Sequence, residues 1–149
     1  MKIEGAYKIE ELFKKAAGLR LAKNRVKEIE DAVDRKLYDM LLVAQENAGY
    51  NGRDVIWLSD MPLTSAIKRS MREFSDLEEE LDLAPVLERL AIHPPLKFGM
   101  ETALEKRLPE IVGTLIYILA RVVKEFSPKE SSVAEDELKR AFRVLDLLV

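Results

Sequence analysis

The segment Gly52-Arg53-Asp54-Val55-Ile56-Trp57-Leu58-Ser59-Asp60-Met61 decides the fold of this 149-residue chain. Gly52 can adopt the positive φ that ends a helix and opens a turn. Residues 53–57 are rich in β-branched and aromatic side chains and predict a short extended piece. Ser59 or Asp60 is predicted to cap the next helix, over Met61–Phe74, by accepting a free N–H of its first turn. The segment therefore predicts a turn between two helices.

Upstream of this segment, apolar side chains recur every three or four positions from Val26 to Ala44, which predicts one helix of about six turns with Asn24 as its N-cap. A shorter helix is predicted over 9–17 and is ended by Gly18. The order in the first part of the chain is therefore short helix, long helix, extended turn, short helix.

The same order is predicted after residue 75. An acidic helical bridge over 77–82 leads to a short helix over 83–91, which the His93-Pro94-Pro95 break ends. A long helix over 100–126 follows, and Pro109 is expected to kink or break it. The last short helix spans 134–147, and its predicted inward side chains are Leu138, Phe142, Leu145 and Leu148. We therefore predict an all-α protein that forms one compact unit from two similar parts, residues 1–75 and 76–149.

Composition narrows the class of protein. The chain has no Cys, which excludes disulfides and thiolate metal sites and favours a cytoplasmic protein. No secretory signal is expected at the first residues. The apolar run Ile111–Val123 is shorter than the roughly 20 residues that span a bilayer, so we interpret it as a buried helix without membrane contact. Scarce Asn and Gln among 34% charged residues are typical of thermophile-like sequences.

Charge is distributed unevenly along the chain. Residues 1–75 hold 14 Lys and Arg and 12 Asp and Glu, whereas residues 76–149 hold 10 and 15. Because the net charge is −3, the whole molecule does not attract polyanions. Any contact with DNA is therefore expected to centre on the first part of the chain.

The turn and the helix order together resemble the histone fold. The archaeal histone pattern has Gly-Arg-Lys-Thr-Ile followed by Lys-Ala-Glu-Asp-Ile, and Arg53 and Asp60 match its arginine and aspartate, seven residues apart. The resemblance implies that these two side chains form a structural salt bridge. Nearly the whole chain resembles a bacterial family of unknown function in which two histone-like folds in one polypeptide pair as the two chains of a histone dimer do.

This resemblance implies a pseudodimer, with intramolecular pairing of the two parts, since one unit alone exposes an apolar stripe. Joining two units in one chain raises their effective concentration. We expect a monomer, with a higher oligomer as an option. The first loop of one part would lie beside the second loop of the other, which would bring Arg20, Lys23 and Arg25 close to Lys129, Ser131 and Ser132.

Histone-like contact with DNA would use basic loops of this kind. The candidate DNA-binding residues are Lys14, Lys15, Arg20, Lys23, Arg25 and Lys129. The opposite loop edge departs from the family, because the pattern's Lys-Thr is Asp54-Val55 here, and a carboxylate repels phosphate. The sequence therefore favours an interaction scaffold for a protein partner, with weak DNA binding on one edge. The alternative is a DNA-compacting histone-like protein.

The remaining alternative is a small enzyme with a carboxylate metal site at Glu28, Asp31 and Asp34. His93 is the only histidine, so it cannot supply a His-rich metal site, and no strong catalytic motif is present. We therefore expect no enzyme activity, catalytic residue, metal or cofactor. Trp57 is expected to pack at the core edge rather than to act as a stacking residue.

Overall fold

The computed structural model describes residues 7–149. Within that range the chain is mostly helical, as predicted. Its elements, in chain order, are α1 Ile9–Ala17, α2 Lys23–Tyr50, β1 Val55–Ile56, a 3-10 turn Leu58–Asp60, α3 Ser65–Ser75, α4 Leu83–Leu90, β2 Gly99–Met100, α5 Thr102–Phe126 and α6 Glu135–Leu148.

The order short, long, short occurs twice among these helices. Helices α1, α2 and α3 have 9, 28 and 11 residues, and α4, α5 and α6 have 8, 25 and 14. No helix in residues 7–149 combines the length and the apolar content that a bilayer crossing needs.

Helix α5 lies at the centre of the core. It packs against α1, α2, α3, α4 and α6. Every residue from Ile111 to Tyr117 is buried, and the prediction of a buried helix is confirmed. Helices α1 and α3 both pack on α5, so the first part of the chain closes its core against the second.

Two loop pairs join the ends of the long helices. Val55 pairs with Gly99 and Ile56 with Met100 in a two-stranded parallel sheet. At the other side, Arg20 forms a parallel bridge with Ser132. In each pair, a loop that precedes one long helix lies beside a loop that follows the other. The predicted proximity of Arg20 to Ser131 and Ser132 is therefore confirmed.

The predicted start of α3 is wrong. The helix begins at Ser65, and Thr64 caps it by accepting the Ile67 N–H at its hydroxyl, 3.2 Å away. Asp60 cannot serve α3, because its carboxylate binds Arg53 and the Trp57 N–H and closes the 3-10 turn instead. The sequence also missed β2, since the predicted helix began at residue 100.

Three further expectations fail, and a fourth fails in part. Helix α5 continues through Pro109, so the predicted break does not occur, because neighbouring helices hold α5 on several sides, while the alternative of a kink stays a prediction. Residues 77–82 are not helical, because Glu78 has a φ of 57° and the chain then turns to bury Leu81. Leu148 is 71% exposed rather than inward, because it lies in the last turn of α6. Helix α2 begins one residue before Asn24, with Ala22 in the cap position.

Candidate functional site

The first candidate surface is the Arg20 edge, which we define as residues 18–25 and 127–134. The Arg20 N–H donates to the Ser131 carbonyl at 2.9 Å, and the Val133 N–H donates to the Arg20 carbonyl at 3.3 Å. These backbone bonds fix the loop while the Arg20 side chain stays exposed. The edge is therefore a rigid base for an exposed positive charge.

Several cations surround this edge. Lys23 is the exposed first residue of α2, Lys129 is exposed on the neighbouring loop, and Lys14 is exposed in the last turn of α1. Neither Arg20 nor any of these three lysines forms an ion pair with a residue in the range 7–149. They are available to a polyanion.

Two of the predicted DNA-binding residues are already engaged. The Lys15 ammonium binds Glu79 and holds the pKa of that carboxyl below its usual range. Arg25 lies 3.4 Å from Glu28, and its side chain is only 18% exposed. The structure thus places Arg20 and Lys23 on one loop end and Lys129 on the loop that pairs with it, and it assigns Lys15 and Arg25 to internal pairs.

The N-terminus of α2 adds to the positive potential of the Arg20 edge. Ala22 in the cap position has no side-chain oxygen, and the first turn contains no acidic residue. The N–H groups of that turn point out of the helix end, where the helix dipole favours an anion. Anionic side chains lie nearby as well, since Glu130 and Asp136 are exposed on and beside the neighbouring loop. The net charge of the edge is therefore modest.

The second surface is the Val55 edge, which we define as residues 51–61 and 97–105. Asp54 is exposed here, and Glu101 occupies the cap position of α5. The Glu101 side chain accepts the Leu58 N–H at 2.7 Å, and Glu105 lies in the first turn of α5. Lys97 is an exposed cation of this edge. The two edges thus have similar backbone geometry and opposite electrostatic character.

Arg53 and Asp60 form the salt bridge that the histone resemblance implies. The guanidinium Nη1 and Nη2 donate to the two carboxylate oxygens at 2.7 and 2.8 Å. The Asp60 side chain is 3% exposed and also accepts the Trp57 N–H at 2.7 Å. The hydrogen bonds from Arg53 hold the pKa of Asp60 below its usual range. This pair fixes the turn and occupies the only arginine of the Val55 edge.

Trp57 does not pack into the core, contrary to expectation. Its side chain is 43% exposed, and the Arg53 guanidinium carbon lies 3.7 Å from the ring centroid. The arginine is held on its other side by Asp60, so it acts as a fixed support for one face of the indole. Nothing in the sequence pattern distinguished this stacking from core packing.

A buried ionic cluster was missed by sequence analysis. The Tyr7 hydroxyl donates to Asp34 at 2.7 Å, and Arg89 from α4 binds the other oxygen of that carboxylate. Arg89 also lies 3.3 Å from Asp31 and 4.0 Å from Glu30. Burial raises the pKa of Glu30, and burial with the Asp34 hydrogen bond raises that of Tyr7. The cluster joins α2 to α4.

This cluster uses the carboxylates that a metal site would need. Asp34 binds Tyr7 and Arg89, Asp31 also pairs with Lys27, and Glu28 pairs with Arg25. Within residues 7–149 no group of three or more His, Asp and Glu is arranged to hold a metal ion. His93 stacks on the Tyr38 ring with centroids 4.5 Å apart, which is a packing contact.

The chain matches one protein family and is similar to two solved structures. A family model described as domain of unknown function DUF1931 matches residues 9–146. A crystal structure of a Thermus thermophilus protein is similar, with 40% identity, a TM-score of 0.93 and coverage of 97% of both chains. A crystal structure of an Aquifex aeolicus protein has 21% identity, a TM-score of 0.79 and coverage of 100% and 99%, and it supports the fold alone.

A curated relative from Aquifex aeolicus strain VF5, described as an uncharacterized protein, is also similar. It is 30% identical over 144 residues, which cover 91% of this chain and 86% of the relative. These similarities show a family relationship and assign no activity to the chain.

Proposed function

We propose that this chain, which belongs to the DUF1931 family, folds as two histone-like units that pair with each other. In this proposal the protein is a non-enzymatic interaction scaffold, and it contacts DNA weakly and only through the Arg20 edge. In this proposal the two histone-like units are residues 1–75 and 76–149. The scaffold needs no cofactor and works as a single copy of the chain in the cytoplasm.

The tandem histone fold is supported by topology. Each part has the short, long, short helix order, and each of the two loop pairs joins a first loop to a second loop from the other part. The Arg53–Asp60 bridge lies at the position that the histone pattern gives to its arginine and aspartate. Three independent features therefore agree with the same fold.

The observation that carries the function is the difference in charge between the two edges. Arg20 and Lys23 lie at the uncapped start of α2 and Lys129 lies on the loop that pairs with Arg20, so a phosphate bound there would relieve the repulsion between cationic side chains and the helix dipole. At the Val55 edge, Glu101 occupies the cap position of α5 and Asp54 is exposed beside the paired strand. One edge attracts phosphate and the other repels it.

The alternative of a DNA-compacting protein needs contacts on both edges, because a wrapped duplex follows the whole surface. Asp54 and Glu101 oppose this, and the acidic first turn of α6 reduces the attraction even at the Arg20 edge. Weak, one-sided contact agrees better with these charges than compaction does.

Titration of a DNA duplex at several salt concentrations tests the proposal. With about three phosphate contacts, the slope of log K against log salt is about −2.7, and affinity falls about 40-fold between 50 and 200 mM salt. A compacting protein with about 6–10 contacts would lose roughly 10³–10⁵ in affinity over the same range. Absence of binding at 50 mM salt would refute the DNA part of the proposal.

A further inference from the structure

Helix α4 is held to the rest of the molecule by few apolar contacts. It has eight residues and packs against α2 and α5. Within Leu83–Leu90, Val86 alone is buried, and the leucines of the helix are partly buried. Elements that bury few apolar side chains open locally at a lower free energy than the whole protein unfolds. The polar contacts of Arg89 therefore contribute strongly to keeping α4 closed.

Arg89 brings α4 into a buried ionic cluster in which carboxylates outnumber cations. It binds Asp34, while Asp31 pairs with Lys27 at 3.1 Å. Glu30 is left with the Arg89 Nη1 at 4.0 Å, which is beyond hydrogen-bonding distance. The Glu30 side chain is 6% exposed. When it is ionised, it is therefore a buried charge without a close partner, which is costly.

The groups that face Glu30 come from three parts of the chain. They are Lys27, Asp31 and Asp34 of α2, Arg89 of α4, and the Tyr7 hydroxyl before α1. No ion pair within residues 7–149 links this cluster to α1, α5 or α6. Burial raises the pKa of Glu30, Arg89 opposes that rise, and Asp34 adds to it.

We infer that Glu30 is a pH-dependent switch for the contact between α4 and α2: α4 stays closed while the carboxyl is neutral and opens more often when it is ionised. Opening lets water reach Glu30, since the Arg89 side chain no longer lies against it. It also uncovers Val86 and the surfaces of α2 and α5 beneath it. The inference goes beyond the proposed function, because it concerns the α2–α4 contact and not the Arg20 edge.

The direction of the switch follows from the linkage between proton binding and stability. Because the pKa of Glu30 is raised in the closed state, its contribution to closure is fully present below the solvated value of about 4.3. The contribution is lost as pH rises through the closed-state pKa. Helix α4 is therefore held most firmly under acidic conditions.

Hydrogen exchange of the full chain, compared between wild type and Glu30→Gln at the same pH, tests this inference. Glutamine has the size of glutamate and no charge at any pH. Comparison at one pH cancels the intrinsic exchange rate and any effect of His93, which follows α4 and is of a residue type that changes charge between pH 5 and 8.

Two results are expected for peptides from α4. At pH 8 they should exchange at least about threefold faster in wild type than in Glu30→Gln, since one pKa unit equals a tenfold change in an equilibrium constant. This ratio should fall towards one at pH 4.5. In wild type at pH 8, α4 should also exchange at least about tenfold faster than the buried centre of α5, because the opening is local.

Glu28→Gln is the matched control. It removes a carboxylate from the same helix, where Glu28 pairs with Arg25 outside the cluster, and it should change the exchange of α4 less than about twofold. Equal effects of Glu28→Gln and Glu30→Gln would overturn the inference, as would a ratio that is the same at pH 8 and pH 4.5. Exchange of α4 as slow as that of α5, or a Glu30→Gln protein that exchanges faster than wild type or does not fold, would overturn it as well.

Discussion

Gly113 in the middle of α5 is expected to control how closely α3 can approach. A Cβ added there would lie 2.1 Å from Phe74 Cζ and 2.6 Å from both Cε atoms, whereas carbon atoms pack at about 3.5–4.0 Å. The Gly113→Ala substitution gains about 1 kcal/mol in helix propensity. Displacement of the buried Phe74 ring exceeds this gain, because overpacking costs about 1–3 kcal/mol and exclusion of a core Phe about 3–5 kcal/mol.

The net expectation is a loss of about 1–3 kcal/mol in the free energy of unfolding, or a Tm lower by roughly 3–10 °C. Thermal melting followed by circular dichroism measures it. Gly49→Ala in α2 is the matched control: its nearest neighbour would be 3.9 Å away, so the substitution should stabilise by up to about 1 kcal/mol.

A second substitution tests the cause of this loss. In a Phe74→Leu background the ring is absent, so Gly113→Ala should cost much less, with a coupling energy of about 1–3 kcal/mol. Additive effects, or a Gly113→Ala protein as stable as the original, would refute the proposed close contact between α3 and α5.

Three further predictions follow from the ion pairs and the pairing of the two parts. Tyr7→Phe removes the donor to one oxygen of the buried Asp34 carboxylate, whose other oxygen still accepts from Arg89, and should lower the free energy of unfolding by about 1.5–3 kcal/mol; an unchanged urea midpoint would contradict this. Asp60→Asn should lower Tm by several degrees at pH 7. Because Arg53 lowers the pKa of Asp60 in the folded state, this stabilisation is present above the unfolded value of about 3.9 and is lost as pH falls through the lower folded pKa. Melting at pH 7 and near pH 2 should therefore show a shrinking deficit, and a constant deficit would be evidence against the pair. Sedimentation should give the mass of one chain at all concentrations, whereas a concentration-dependent dimer would contradict the expected monomer.

The order of the helices could be predicted from the sequence, because the spacing of apolar residues indicates which face of a helix is buried. The prediction of α2 and of a buried α5 rested on apolar side chains three and four positions apart, and both are confirmed. Gly18 and Gly52 marked turns correctly because both adopt a positive φ. The start of α3 could not be predicted from the sequence, because Asp60 and Thr64 are equally suitable N-cap residues. Asp60 is not free to cap α3 because its carboxylate binds Arg53.

Features that depend on distant residues could not be predicted. The cluster of Tyr7, Asp34 and Arg89 joins residues 27 and 55 positions apart, and no local pattern marks them as partners. Strand β2 has two residues and exists because β1 lies beside it. The Arg20 edge was predicted only because the histone resemblance specified which loops meet. The pairing of Lys15 with Glu79, 64 positions away, has no local signal, whereas Arg25 and Glu28 are three positions apart on α2, a spacing at which helical side chains can meet.

The central claim, that one edge alone contacts DNA, is tested most directly by comparing charge removal at the two edges. The measurement is the affinity for a DNA duplex at 50 mM salt of two variants that remove the same charge. One is Arg20→Ala with Lys23→Ala at the Arg20 edge, and the other is Lys97→Ala at the Val55 edge with Lys106→Ala just beyond it. We predict that the first pair weakens binding at least about 10-fold and the second less than about threefold. Equal losses from both pairs, or an unchanged affinity in the first, would contradict the claim.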